Sequence, residues 1–139
     1  MEITKHNICQ HIEDILKSQK VRYSILEPDY RGCVYELYAS SIEGIIQVEY
    51  NLADDNNYFC LQFYINMDSN GLPLYHSDWD NESNGDSVES EIEQLLSATK
   101  RINQGLSKIQ TKIEQIKDIC EEYNLEFENF IDILYDFDA

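Results

Sequence analysis

Lysine and arginine are absent from a 68-residue stretch, Gly32 to Thr99, that carries 13 of the chain's 27 acidic residues. The whole chain of 139 residues has ten lysines and arginines, and five of them lie between Lys100 and Lys117. Its formal net charge of −17 repels nucleic acid and anionic lipid and attracts basic partners. Solubility of a small domain requires a magnitude of only about 2–8. The excess favours a protein that binds a basic partner, with solubility as the simpler alternative.

Targeting signals and long apolar runs are also missing. The first residues have no basic start, and no stretch approaches the ~20 apolar residues of a membrane span. We therefore expect a cytoplasmic protein. The four cysteines, Cys9, Cys33, Cys60 and Cys120, form no C-x-x-C pair and lie among apolar residues, which is typical of buried free thiols in a reducing compartment. Two disulfides are the alternative.

Catalytic and metal-binding motifs are scarce. The sequence has three histidines and contains no nucleophile elbow, phosphate-binding loop or dinucleotide fingerprint. His6 and Cys9 share a helical face, but no further residues complete a zinc site at the usual spacing. Carboxylate pairs are numerous and are simply explained as solvated surface. The sequence predicts no enzyme, no cofactor and no metal.

Apolar residues make up 42% of the chain and aromatic residues 12%, which is enough for a folded single domain. Ile8, Ile12 and Ile15 recur at helical spacing and predict a first helix over residues 3–18. Five strands follow, and they are too closely spaced for crossover helices, so we expect an antiparallel meander. The last strand contains a proline and belongs at an edge. The predicted strands are Val21–Leu26, Val34–Ala39, Ile45–Asn51, Tyr58–Ile65 and Leu72–Ser77.

A polar loop over residues 77–86 then leads into a heptad pattern of apolar residues. We expect one long helix, with Asp86 as its N-cap and Asn124 at its end, and a short amphipathic helix over residues 125–137. The fold class is α+β, with helix and sheet in residues 1–86 and the two later helices in residues 87–139 of the same domain. The heptad positions are Val88, Ile92, Leu95, Thr99, Ile102, Leu106, Ile109, Ile113, Ile116, Cys120 and Tyr123.

The apolar stripe of the long helix narrows in its middle part to a strict heptad seam flanked by lysines. A narrow seam is typical of a coiled-coil contact, whereas a wide stripe packs on a sheet. We therefore expect a helix–helix contact there, in a homodimer or with another chain. The predicted seam consists of Thr99, Ile102, Leu106, Ile109 and Ile113.

Exposed acids in turns and loops are the candidate partner-binding residues. One group lies at the predicted hairpin ends, and the other surrounds the single tryptophan, an aromatic anchor of the type that concentrates binding energy. The predicted site consists of Asp54, Asp55, Asp68, Asp78, Trp79, Asp80, Glu82 and Asp86.

The same loop resembles a calcium-binding pattern in part. Asp80, Glu82, Asn84, Gly85 and Glu91 occupy positions 1, 3, 5, 6 and 12 of such a loop. The match is incomplete, because Glu82 is longer than the usual Asp and position 8 is not apolar. An acidic loop leading into a capped helix explains the same residues.

These patterns favour a non-enzymatic inhibitor of a basic protein. Nucleases are the natural target class, because their clefts are positively charged to hold phosphates. An immunity protein, an anti-nuclease or a DNA mimic of bacterial or phage origin fits this description. The alternatives are a dimeric coiled-coil scaffold or secretion chaperone, and a calcium-binding module.

Overall fold

The regular elements follow one another as a helix, five strands and a long helix. A computed structural model describes residues 2–38, 44–67, 72–83 and 85–130, the side chains of residues 27, 66 and 67 excepted. The chain turns helical again from Phe127, where a short C-terminal helix begins. The elements are α1 (Ile8–Ser18), β1 (Tyr23–Asp29), β2 (Gly32–Leu37), β3 (Gly44–Tyr50), β4 (Phe59–Met67), β5 (Pro73–Asp80) and α2 (Val88–Glu122).

The five strands form one antiparallel sheet in the order β1-β2-β3-β4-β5, so the predicted meander is confirmed. β1 and β5 are the edges of this sheet, as expected for the strand that contains Pro73. The other proline, Pro28, lies in β1, where the register shifts between Leu26 and Asp29. Both edge strands thus contain a residue that cannot donate a backbone hydrogen bond.

The last strand is longer than the sequence indicated. The polar segment Ser77–Asp80 was expected to be loop, but it pairs with β4, from Phe63 opposite Ser77 to Cys60 opposite Asp80. Its side chains alternate between the two faces of the sheet, and Trp79 points to the apolar side. A strand at an edge with one solvated face can carry acids at alternate positions, which is why composition alone suggested a loop.

One face of the sheet packs against α1 and the first turns of α2. The helices contribute an apolar stripe each, and the strands contribute every second residue, as the periods of 3.6 and 2 require. Tyr35, Phe59 and Phe63 are the largest fully buried side chains of this core. The core consists of Ile8, Ile12, Ile15, Leu16, Cys33, Tyr35, Leu37, Ile46, Val48, Phe59, Leu61, Phe63, Ile65, Val88, Ile92, Leu95 and Ala98.

Side-chain and backbone hydrogen bonds define the helix ends. The Ser87 hydroxyl accepts the backbone N–H of Ser90 at 3.1 Å, so Ser87, not Asp86, caps α2. The short serine hydroxyl reaches the third N–H of the helix, as an N-cap does. Asn124 ends α2 in the left-handed region (φ 55°), and Leu125 N–H donates to the Cys120 carbonyl at 2.7 Å. The predicted stop at Asn124 is therefore confirmed.

Gly32 begins β2 in a conformation that other residues rarely adopt, with φ of 149°. A Cβ at this position would lie 1.9 Å from the carbonyl oxygen of Val48 on β3. The close approach of β2 and β3 at this end of the sheet therefore requires glycine.

The chain divides into two compact units, one up to Asn103 and one from Gln104 on. The first unit contains the sheet, α1 and the N-terminal part of α2. The second contains the rest of α2 and the following turn, where Lys117 Nζ lies 5.3 Å from the ring centre of Phe127 and Cys120 is buried. The division between the units falls within α2.

Candidate functional site

The face of the sheet opposite the core carries acidic residues among polar and apolar ones such as Val34, Ile45 and Tyr64. We call it the acidic face and define it by Glu36 on β2, Glu49 on β3, and Asp78 and Asp80 on β5. Gln47 and Gln62 lie between them, because Gln47 pairs with Gln62 and Gln62 with Asp78. None of the described open-face positions of the five strands holds a lysine or arginine.

Neighbouring side chains hold two of these carboxylates in place. Gln47 Nε2 donates to Glu49 Oε1 at 3.0 Å, and the Cys60 thiol donates to Glu49 Oε2 at 3.6 Å. The Tyr38 hydroxyl donates to Glu36 Oε2 at 3.1 Å. Asp80 is two strands away from Glu49 in the same row, which places it at roughly 10 Å. The acids are therefore spaced to meet separate cations.

Negative charge on the acidic face contributes to raised pKa values of two neighbouring side chains, Cys60 and Tyr58. Burial raises the pKa of the Cys60 thiol, and the carboxylates of Glu49, Asp78 and Asp80 raise it further. The pKa of Tyr58 is raised as well, first by Cys60 and then by burial and the surrounding acids. A raised pKa means that the anionic form of the side chain is disfavoured, as expected where several carboxylates lie close together.

A groove of about 630 Å³ joins the acidic face to the loop after β3. Glu49 and Cys60 line it from the strands, and Asp54 and Tyr58 line it from the loop. Arg31 also lines the groove, and its guanidinium pairs with Asp29 at 3.8 Å. The structure thus brings Asp54, a predicted site residue, together with strand residues that the sequence analysis did not select.

A buried lysine anchors this loop. Lys5 is only 5% exposed, and its ammonium donates to the backbone carbonyls of Asn51 at 2.7 Å and Asp54 at 2.5 Å. These charge-assisted bonds satisfy a cation that would otherwise be costly to bury. Lys5 therefore fixes the backbone that presents Asp54 and its exposed neighbour Asp55.

A second groove, of about 490 Å³, brings together Asp78, Asp80 and Asp86. Asp80 Oδ1 accepts the backbone N–H groups of Glu82 and Ser83, at 2.9 and 2.8 Å. The Ser83 hydroxyl donates to Asp80 Oδ2 at 2.8 Å, and this bond, followed by the two backbone bonds, lowers the pKa of Asp80. The turn after β5 therefore holds Asp80 ionised, beside exposed Glu82.

The calcium interpretation of this turn gains no support from the geometry. Glu91, its proposed twelfth position, is 8% exposed and accepts the Ser77 hydroxyl at 2.7 Å. Both oxygens of Asp80 already accept hydrogen bonds within the turn. Among the described residues, no cluster of three histidines, cysteines or acids is placed to hold a metal. Asn84 and Asp68 lie outside the described residues.

Trp79 does not lie in an exposed loop beside the acids, as the sequence suggested. It is half-buried on the core side of β5, with its ring centre 5.6 Å from that of Phe59. Its indole N–H donates to the backbone carbonyl of Asp86 at 2.8 Å. Because residues of a strand alternate between faces, Trp79 points to the opposite face of the sheet from Asp78 and Asp80, although all three line the second groove at the edge strand β5.

The predicted seam of α2 falls into two parts. In the first unit, Thr99 is buried and donates its hydroxyl to the Leu95 carbonyl at 2.8 Å, and Ile102 packs against the core. In the second unit, Leu106 is 38% exposed, Ile109 is 55% exposed and Ile113 is half-buried. The structure therefore assigns the first two residues to internal packing, and leaves the apolar surface of Leu106 and Ile109 in solvent.

Sequence reasoning missed Glu36 and Glu49, because it sought acids in loops only. The signal was present in the alternation of the strands, where Gln47 and Glu49 share the face opposite Ile46 and Val48.

Comparison of the chain with protein-family models, with curated proteins and with solved structures found no match. No described helix combines the length and the apolar character needed to cross a bilayer.

Proposed function

We propose that this chain is a non-enzymatic binding protein that inhibits a basic partner, of the nuclease or toxin type, through its acidic face. The observation that carries the proposal is the set of carboxylates on one sheet face, where no described strand position offers a lysine or arginine. The acids of the loop after β3 and of the turn after β5 extend this surface at two of its borders. Such a surface attracts a cationic protein and repels anionic ones.

The surface is built on rigid elements, which distinguishes it from a general solubilising charge. Glu36 and Glu49 are held by hydrogen bonds from neighbouring side chains, Asp80 by its turn and Asp54 by the Lys5 anchor below its loop. Fixed charges lose little conformational freedom on binding, so more of their attraction contributes to affinity. A charge that served solubility alone would not require carboxylates held in fixed positions.

The partner class follows from electrostatic complementarity. A protein that binds nucleic acid places lysines and arginines along a cleft to neutralise phosphates. On this sheet face Asp78 and Asp80 lie roughly 7 Å apart and Glu49 lies roughly 10 Å from Asp80, so these carboxylates can meet several of these cations at once. Occupation of the cleft would exclude the nucleic acid, and this is how we expect the chain to inhibit its target.

The proposal is tested by inhibition of basic nucleases, beginning with any encoded beside this chain. The variant Asp78→Lys/Asp80→Lys reverses two charges on the acidic face. Asp118→Lys/Glu122→Lys changes the net charge equally, at exposed positions of the second unit. We expect the first variant to lower the association rate at least about tenfold at low salt, and the second to change it much less.

The salt dependence provides a further measurement. Association of the unaltered chain should slow steeply as ionic strength rises from about 0.05 to 0.5 M, because the Debye length shortens below the spacing of the acids. Equal effects of the two charge reversals would show that net charge, not the face, attracts the partner. Absence of inhibition across the panel would contradict the proposed function.

A coiled-coil scaffold is the second candidate, and the exposure of Leu106 and Ile109 favours it. Apolar heptad residues left in solvent on a long helix are typical of a surface that pairs with another helix. In this function the second unit forms the contact, and a homodimer is the simplest assembly. The two candidates use different residues, so their variants separate them.

A further inference from the structure

We infer that Cys9 and Cys33 are a redox-active pair that closes an intramolecular disulfide when the chain meets a low-molecular-weight disulfide such as oxidised glutathione. This modification site is independent of the proposed binding function. Cys9 lies on α1 and Cys33 on β2, and the structure places their Sγ atoms 3.1 Å apart, with both thiols free.

The geometry favours bond formation without rearrangement of the backbone. A disulfide has an S–S length of about 2.05 Å, so the two sulfurs need to approach by roughly 1 Å. Small rotations of the two side chains can supply this movement. The helix and the strand are already fixed against each other by the core, and the Tyr35 hydroxyl donates to the Cys9 carbonyl at 3.3 Å.

The two sulfurs differ in solvent exposure and in pKa. Cys9 is half-buried and reachable from solvent, whereas Cys33 is buried. The hydrogen bond from the Cys33 thiol lowers the pKa of Cys9 to about 6, and hydrogen bonds from Tyr35 and Tyr50 act in the same direction. Burial and the Glu13 carboxylate oppose this shift. The same hydrogen bond raises the pKa of Cys33, so Cys9 is the thiol that loses its proton first.

The reaction is a thiol–disulfide exchange in two steps. The Cys9 thiolate attacks one sulfur of oxidised glutathione, forms a mixed disulfide and releases one glutathione thiolate. Cys33 then loses its proton to solvent and attacks the Cys9 sulfur, which releases the second glutathione. The protein loses two hydrogen atoms, and one molecule of oxidised glutathione becomes two of reduced glutathione.

The two other cysteines serve as internal controls. Cys60 is half-buried like Cys9, but burial and the acids around it raise the pKa of its thiol, so it remains protonated at neutral pH. Cys120 is buried in the second unit. The variant Cys60→Ser/Cys120→Ser should therefore retain the reaction, and Cys33→Ser should stop it after the first step.

The experiment treats the full chain with oxidised glutathione at neutral pH, then counts free thiols, maps peptides by mass and follows thermal unfolding. We expect the free thiols to fall from four to two, a Cys9–Cys33 peptide, and a rise in Tm of about 10 °C from closing a loop of roughly 25 residues. The Cys33→Ser variant should accumulate glutathione on Cys9. Four remaining thiols, a glutathione adduct on Cys60, or a disulfide-linked dimer would each overturn the inference.

Discussion

The Ser77 hydroxyl donates a hydrogen bond to Oε2 of Glu91 at 2.7 Å, and this contact joins the edge strand β5 to the first turn of α2. Glu91 also lies near the N-terminus of the helix, where a carboxylate interacts favourably with the helix dipole. An acid that the sequence offered as the twelfth position of a calcium loop is therefore part of the structural framework.

Replacement of Glu91 should reveal this role. We expect Glu91→Ala to lower the free energy of unfolding by roughly 1.5–3 kcal/mol, because the Ser77 hydroxyl loses a charged acceptor. Glu91→Gln keeps an acceptor oxygen and should cost less. Urea denaturation provides the measurement, and Glu93→Ala, at an exposed position of the same turn, is the control. Equal losses for Glu91→Ala and Glu93→Ala would argue against the bridge.

Trp79→Ala should act on stability, not on the dissociation of a partner. Removal of the indole leaves a cavity against Phe59 and an unpaired Asp86 carbonyl, and we expect a loss of about 2–4 kcal/mol. Tyr58→Ala, at an exposed position beside the acidic face, should leave stability within about 0.5 kcal/mol. If Trp79→Ala retains full stability and instead speeds dissociation, Trp79 is a binding anchor after all.

Loss of the lysine anchor should release the loop after β3. In Lys5→Met the carbonyls of Asn51 and Asp54 lose a charged donor. We expect the free energy of unfolding to fall by about 1.5–3 kcal/mol. The loop should also be cut more quickly by a protease, which can be followed by mass spectrometry. Lys17→Met, an exposed lysine at the end of α1, is the matched control and should behave like the unaltered chain.

The stability of the chain should depend on pH through Asp80 in the turn after β5. The pKa of Asp80 is lowered in the folded chain, so its contribution to stability is present above its unfolded pKa, about 3.9, and is lost as pH falls through the folded value. Ser83→Ala removes the largest cause of the lowered pKa and should raise the pKa of Asp80 toward its unfolded value, as measured by NMR titration of its carboxyl carbon. Ser97→Ala, exposed on α2, should not change that titration.

The second unit is tested by oligomeric state. If Leu106 and Ile109 pair with a second copy, Leu106→Asp/Ile109→Asp should convert the assembly to a folded monomer in light scattering. Ser107→Asp/Thr111→Asp adds the same charge at exposed positions off the seam and should leave the assembly intact. A chain that is already monomeric at high concentration would rule out the homodimer.

Periodicity in the sequence was sufficient for the element order, the meander and the end of α2 at Asn124. These features depend on residues close together in the chain, whose pattern records which side faces the core. Periodicity did not predict the strand at Ser77–Asp80, because acids on the solvated side of an edge strand give the segment the composition of a loop. The cap was placed one residue early, since both Asp86 and Ser87 are good N-cap residues.

Contacts between distant residues could not be predicted. Lys5 meets carbonyls 46 and 49 residues away, and Cys9 meets Cys33 across 24 residues. No local pattern encodes these distances, because they arise only when α1 docks on the sheet. The acidic face could not be predicted for the same reason. Each strand contributes one or two polar residues, and only the register of the strands brings them together.

Both prolines of the chain lie in the edge strands β1 and β5. An exposed edge offers a row of unpaired backbone groups to which a strand of another molecule can add, and this is a common route to aggregation. Pro28 interrupts that row on one side, together with the register shift of β1, and Pro73 does so on the other. One residue of each edge strand therefore has no backbone N–H to offer to an added strand.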